Sequence, residues 1–154
     1  NDYLRYKQSI DAVMPLTKAL KILGEWIFYL APATMYQSDW FTSPYFIIGT
    51  LLFFTGMLVN WSSDYIIRHL RKPGDTRHYL PQKGMYRYVT SANYFGEIVE
   101  WAGWAILTCS LSGLVFLWWT IANLVPRADA IWKRYREEFG DAVGTRKRVF
   151  PFLY

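Results

Sequence analysis

The chain has 154 residues, enough for one domain, with 53% hydrophobic and 19% aromatic residues, eight Trp and a net charge of +5. Its apolar residues fall in long uninterrupted runs, a membrane-protein pattern that excludes an ordinary soluble domain. Charge alone would suit nucleic acid, but the basic residues abut the apolar runs, which favours a membrane surface and sets nucleic acid aside as a partner.

In chain order, the sequence starts at Asn1 without Met and without the layout of a signal peptide, so a cut from a longer protein or loss of a presequence is expected. Residues 1–13 are mixed and polar, suited to a short surface helix. An apolar run at 14–36 carries Lys18, Lys21 and Glu25 in its first half. Pro15 suits a first helical turn and Pro32 would kink or end the helix. This run is expected to cross the membrane, the alternative being a helix lying in the interface. After a short turn at 37–44, YFIIGTLLFFTGMLVNW is uncharged for about 17 residues, enough to span once the turn through Asp64 is added. Its pattern stays helical to about Leu70, and Lys72-Pro73-Gly74 ends it.

Residues 90–125 are too long for one span at about 1.5 Å per residue. Ser110, Ser112 and Gly113 divide them into helices of roughly 90–109 and 113–136, the second leaving the membrane near Pro126-Arg127 and continuing as the charged stretch IWKRYREEF. Cys109, the single cysteine, excludes an intrachain disulfide framework and a multi-cysteine metal site, and reads as a packed thiol. The ending RKRVFPFLY reads as a finished C-terminus. The fold class is thus all-α: a polytopic membrane helix bundle of about four transmembrane helices with a cytosolic-side basic loop. Charge supports it. All seventeen Lys and Arg lie in the N-terminal segment and first-helix entry, in 68–87, or in the tail from Arg127. Four crossings put those regions on one side, the cytoplasmic face or its organelle equivalent.

Two constellations carry chemistry. Asn60, Asp64 and Arg68 recur at i, i+4, i+8 with Arg71 beyond, and Asn93, Glu97 and Glu100 make a second polar stripe. Polar groups at such depth usually face a cavity or one another, so either an interhelical clamp, such as Asp64 with Arg68 or Arg71, or a ligand cavity between the stripes is expected. The loop between them holds Arg68, Arg71, Lys72, Arg77, Lys83 and Arg87, with Tyr79, Tyr86 and Tyr88. Arg forks suit phosphate, and tyrosine faces suit ring stacking. Attraction to anionic lipid explains the same composition. No Gly-rich nucleotide motif, catalytic triad or metal cluster is present; His69 and His78 stand isolated.

The patterns SDYIIRHLRKPGD and LPQKGMYRYVTSANYFGEIVEW, with the ending RKRVFPFLY, closely resemble the C-terminal domain of the steroid 5α-reductase family over roughly residues 56–154. The resemblance implies an integral membrane reductase using NADPH to reduce the C=C bond of an enone lipid such as a 3-oxo-Δ4 steroid. It places Asn60, Asp64, Arg71, Asn93, Glu97, Arg127 and Tyr135 on cofactor-contacting positions. Ile131 and His78 stand where family members often carry His and Tyr. The family's catalytic Glu and Tyr lie in N-terminal helices that precede the matched region, so no catalytic residue is assigned here; the Glu25–Tyr29 pair does not match that motif. The chain divides accordingly into an N-terminal segment with the first membrane helix at 1–45 and a reductase-like domain at 46–154.

Three readings follow. In the first, the chain is the cofactor-binding part of a reductase, with membrane lipid and a hydrophobic lipid or steroid substrate as partners. In the second, it is a non-catalytic accessory subunit of a larger membrane complex, with other membrane subunits as partners. In the third, it binds lipid head groups through its basic loop. The location implied is the endoplasmic reticulum or mitochondrial inner membrane in a eukaryote, or the cytoplasmic membrane in a bacterium.

Overall fold

A computed structural model describes residues 39–71, 74–75 and 77–154. The expected first helix at 14–36, the Glu25–Tyr29 pair, and Lys72 and Pro73 lie outside the described residues. Within them the chain is all-helical: α1 spans Pro44–Arg68, α2 Ala92–Thr108 and α3 Leu111–Phe139.

Each helix begins where its residues allow. Ser43 caps α1, its Oγ accepting from the Phe46 N–H at 3.3 Å, and Pro44 occupies the first turn, where no amide hydrogen is needed. The helix stops at Arg68; beyond it the His69 ring bonds back to the Tyr65 carbonyl through Nδ1 at 2.8 Å. At 25 residues, α1 alone among the described helices is long and apolar enough to cross a membrane.

α2 and α3 are joined by a tight turn. Thr108 Oγ1 donates to the Trp104 carbonyl at 2.9 Å, and Ser110 Oγ accepts from the Gly113 N–H at 3.0 Å to cap α3. Cys109 takes a left-handed conformation, φ 44°. That turns it outward, so Cys109 is exposed and is not the packed thiol expected from its apolar surroundings. α3 runs on through Pro126 to Phe139, one continuous helix past the expected membrane exit.

Antiparallel α1 and α2 touch backbone to backbone. A methyl group built on Gly56 would lie 2.2 Å from the Glu100 amide nitrogen, one on Gly103 2.3 Å from that of Phe53, one on Gly49 2.4 Å from that of Leu107, and one on Gly96 2.5 Å from that of Asn60. The glycines recur at a spacing of seven on both helices, two turns at about 3.6 residues each, and so line one face. Ser63 continues the α1 series and is 1% exposed. The opposite face of α1 leaves Ile47, Leu51, Phe54, Leu58, Trp61 and Tyr65 exposed.

The tail returns to the start of α2. Lys147 N–H donates to the Tyr88 carbonyl, Thr90 N–H to the Lys147 carbonyl and Ser91 N–H to the Arg148 carbonyl, all at 2.9–3.0 Å. Val149 is thereby buried beside Ile98, Leu124 and Ala128. Arg148 locks the return: its Nε donates to Asp129 Oδ1, and its guanidinium lies 4.5 Å from the Trp132 ring and 4.6 Å from the Tyr154 ring.

Candidate functional site

The glycine seam decides where a ligand can sit. The two polar stripes do not face each other across a gap, as the sequence suggests; the helix backbones meet where that gap would be. Asn60, Asp64, Asn93 and Glu97 instead lie beside the seam, each partly exposed. The clamp alternative is present in weak form: Arg68 Nη2 lies 3.7 Å from Asp64 Oδ2, with both side chains well exposed. Glu97 feels the charges of Glu100, Asp64 and Arg127, so Asp64, Glu97 and Arg127 share one flank.

The open space lies lower, between the loop and α3. Arg71, His78 and Tyr79 from the loop face Ile131, Arg134, Tyr135 and Glu138 from α3 around a groove of about 170 Å³. The α3 residues follow i, i+3, i+4, i+7, one helical face. His78 ties the two walls together. Its Nδ1 lies 2.9 Å from Glu138 Oε1 and its Nε2 3.3 Å from Arg134 Nη2. The same Nη2 lies 3.2 Å from Nδ1, so the guanidinium sits close to both ring nitrogens and the imidazole bridges a carboxylate and a cation.

Asp75 organises the approach. It accepts from the Arg77 backbone N–H, from Arg77 Nε and Nη2 at 3.0–3.1 Å, and from the Tyr79 hydroxyl at 2.7 Å. The Arg77 guanidinium, followed by Tyr79 and the Arg77 amide, holds the Asp75 carboxyl far below the usual carboxylate range. Arg77 is therefore engaged within the loop. Arg71 carries no ion pair among the described residues and lines the groove, the stronger placement for gripping an anion.

Tyr86 is the functional candidate that sequence reasoning undervalues. Read as a stacking face, it is 1% exposed, and its hydroxyl has no hydrogen-bond partner among the described residues. Burial, then the nearby Tyr135 and Asp64, pushes its phenol up; the Asn93 amide works the other way without closing a hydrogen bond. Tyr135 is raised as well, by burial first, with Arg134 and Arg71 opposing. The Ser91 hydroxyl, at the start of α2, is buried and partnerless too. Such groups are costly unless something pairs with them. Arg134 and Glu138 are further additions, and their signal is the one-face spacing within IWKRYREEF.

The structure thus brings Arg71 and Tyr135 together in one groove and Asp64, Glu97 and Arg127 on a neighbouring flank. Asn93 stands beside Tyr86, which Tyr135 and Asp64 also influence; Asn60 lies against the seam at Gly96. Drug-sized ligands occupy pockets of about 300–1,000 Å³, so the groove, at about 170 Å³, is smaller than a whole ligand site of that kind. Among the described residues no cluster of His, Cys, Asp or Glu could hold a metal ion.

The described residues thus combine one membrane-length helix with a groove that carries two arginines and two tyrosines. Residues 7–154 match the family model for 3-oxo-5-alpha-steroid 4-dehydrogenase, and the chain belongs to that family. It is 46% identical over 125 residues to the Mus musculus 3-oxo-5-alpha-steroid 4-dehydrogenase 1, covering 81% of this chain and 49% of that protein. Homo sapiens 3-oxo-5-alpha-steroid 4-dehydrogenase 1 is 45% identical over 126 residues, 82% of this chain and 49% of its own length. The Homo sapiens type 2 protein is 40% identical over 127 residues, 82% and 50% respectively. The chain spans about half the length of the curated relatives it matches.

Proposed function

We propose that this chain supplies the cofactor-binding part of an NADPH-dependent membrane reductase that reduces the C=C bond of an enone lipid of the 3-oxo-Δ4 steroid type. Family membership supports the reaction class. The observation that carries the cofactor part is the convergence of Arg71 and Tyr135 on one groove beside a partnerless, buried Tyr86 hydroxyl. About four membrane helices, the first in 1–45 and the rest in 46–154, would hold the site at the cytosolic face of an endoplasmic reticulum, mitochondrial or bacterial membrane.

The residues fit a dinucleotide's chemistry. Arg71 offers a fork for phosphate, with Arg134 as a second cation once its contact to His78 is released. Tyr79 and Tyr135 supply ring faces and hydroxyls. Asp64, Glu97, Asn60 and Asn93 offer carboxylates and amides suited to ribose hydroxyls and a carboxamide, and Arg127 balances the acids. When bound, NADPH supplies the hydride for the reduction. The chain's own part is to bind and orient it and to keep water from one face; the groups that polarise the substrate ketone belong to helices outside the matched half.

The accessory-subunit reading is favoured by one observation. His78 is held by Glu138 and Arg134, and Ile131 brings no polar atom to the groove, so two wall positions are spent on packing. Calorimetry on the purified, detergent-solubilised chain with NADPH, NADH and pyrophosphate separates the two. The reductase reading predicts selective NADPH binding; no binding by a folded chain would contradict it and leave the accessory role.

A further inference from the structure

We propose that the groove between the Gly84–Arg87 turn and the C-terminal tail binds the headgroup of an anionic phospholipid, with Phe152 and Leu153 entering the same leaflet as an apolar anchor. The inference rests on the membrane reading of the preceding subsection.

The groove, about 230 Å³, is lined by Arg87, Tyr88, Thr145, Lys147 and Phe152. Its lining brings two cations, two hydroxyls and no carboxylate. Elsewhere Arg68, Arg77, Lys133 and Arg148 each have an acidic partner; Arg87 and Lys147 have none among the described residues. The charge here is unspent, which suits a phosphate diester.

Depth identifies the source of that phosphate. The groove is fixed to the start of α2 by the bonds joining Lys147 to Tyr88 and Thr90. Gly96 lies against Asn60, so the antiparallel run carries Tyr88 toward the end of α1, where the apolar run gives way to Ser62, Ser63 and Asp64. That is headgroup level for a spanning α1.

The tail adds the apolar half of the site. Val149 and Phe150 N–H donate to the Tyr154 carbonyl, and Leu153 and Tyr154 N–H to that of Phe150, closing a hook. The hook holds Phe152 at φ 66°, a region unfavourable to a bulky side chain. It leaves Phe152 79% and Leu153 82% exposed, Phe152 in ring contact with Tyr88 at 5.7 Å. A soluble phosphate would account for the cations but not for two apolar side chains presented beside them. A lipid accounts for both.

The full chain is reconstituted in phosphatidylcholine nanodiscs carrying a trace of photoactivatable phosphatidylserine, and labelling of the 145–154 peptide is read by mass spectrometry. Labelling is expected to fall about tenfold or more in Arg87→Gln/Lys147→Gln, to fall in Phe152→Ser, and to stay within about twofold in the charge-matched Lys83→Gln/Arg136→Gln. Neither the Arg87 nor the Lys147 side chain has an acidic partner among the described residues, so helicity by circular dichroism should be unchanged. Labelling that survives the double substitution, or falls equally in the control, would overturn the proposal. Competition by inorganic phosphate as strong as by phosphatidylserine would overturn the lipid source. A chain that inserts without labelling refutes this site alone; one that fails to enter the bilayer refutes the membrane reading and the site with it.

Discussion

The α1–α2 seam and the α3–tail clamp hold the same molecule by opposite means. At the seam four glycines remove side chains, so the backbones meet and nothing polar or mobile can intervene. At the clamp one arginine satisfies a carboxylate and two rings at once; farther along α3, a histidine bridges loop to helix across an open groove. The seam leaves no space between its helices, whereas the loop–α3 groove is open and lined by long polar side chains. That is why the proposed cofactor is assigned to the loop–α3 groove.

The largest effect should come from closing the seam's tolerance to zero. Gly56→Ala places its methyl against the Glu100 backbone, which cannot swing aside as a side chain would. Overpacking of this kind costs about 1–3 kcal/mol, and Gly56→Leu more. Reversible unfolding in mixed detergent micelles reads it, and a wild-type midpoint for Gly56→Leu would mean the helices are not in contact. Next is the clamp. Arg148→Ala should cost about 1–2 kcal/mol, discounted because the side chain is partly exposed, and should free the tail to proteolysis without disturbing the seam.

Acid should loosen the clamp through Asp129. Lys133, then Arg148, lowers the Asp129 carboxyl below its ordinary value of 3.8. A depressed carboxylate contributes stability above the unfolded value and loses it as pH falls below that value toward the folded one. Tail protection should therefore drop below about pH 4 in wild type, and Asp129→Asn should abolish that dependence. In the groove, Arg71→Ala should weaken NADPH binding about tenfold, with Lys83→Ala changing it far less; equal, small losses would argue against the groove. The smallest effect on stability belongs to Tyr86→Phe. Removing a buried hydroxyl that has no protein partner should leave stability unchanged or raise it by about 1 kcal/mol, while cofactor affinity falls.

Much of this was readable in the sequence, for definite reasons. The helices are long apolar runs with strong punctuation at Pro44, Ser110 and Gly113, so helical content and the α2–α3 turn follow from local chemistry. The exposure of Cys109 did not follow, because a left-handed residue at a helix end is set by the turn and not by its apolar neighbours. The polar stripes were visible, but their relation was not: whether two helices enclose a cavity depends on their closest approach. The signal for that was glycine repeated seven apart on both helices, which a reading drawn to the rarer charged residues passes over. Arg77 shows the same limit. Its type suits phosphate, yet Asp75, two residues away, takes its fork.

The cofactor surface we propose is the loop–α3 groove with its neighbouring flank, and not the glycine seam between α1 and α2. Hydrogen exchange of the full chain with and without NADPH tests it most directly. Slowed exchange should appear in 77–88 and 131–138 and leave 49–53 and 103–107, the part of the seam away from Asn60 and Glu97, unchanged. Protection confined to the glycine seam, or none at all in a chain saturated with NADPH, would contradict it.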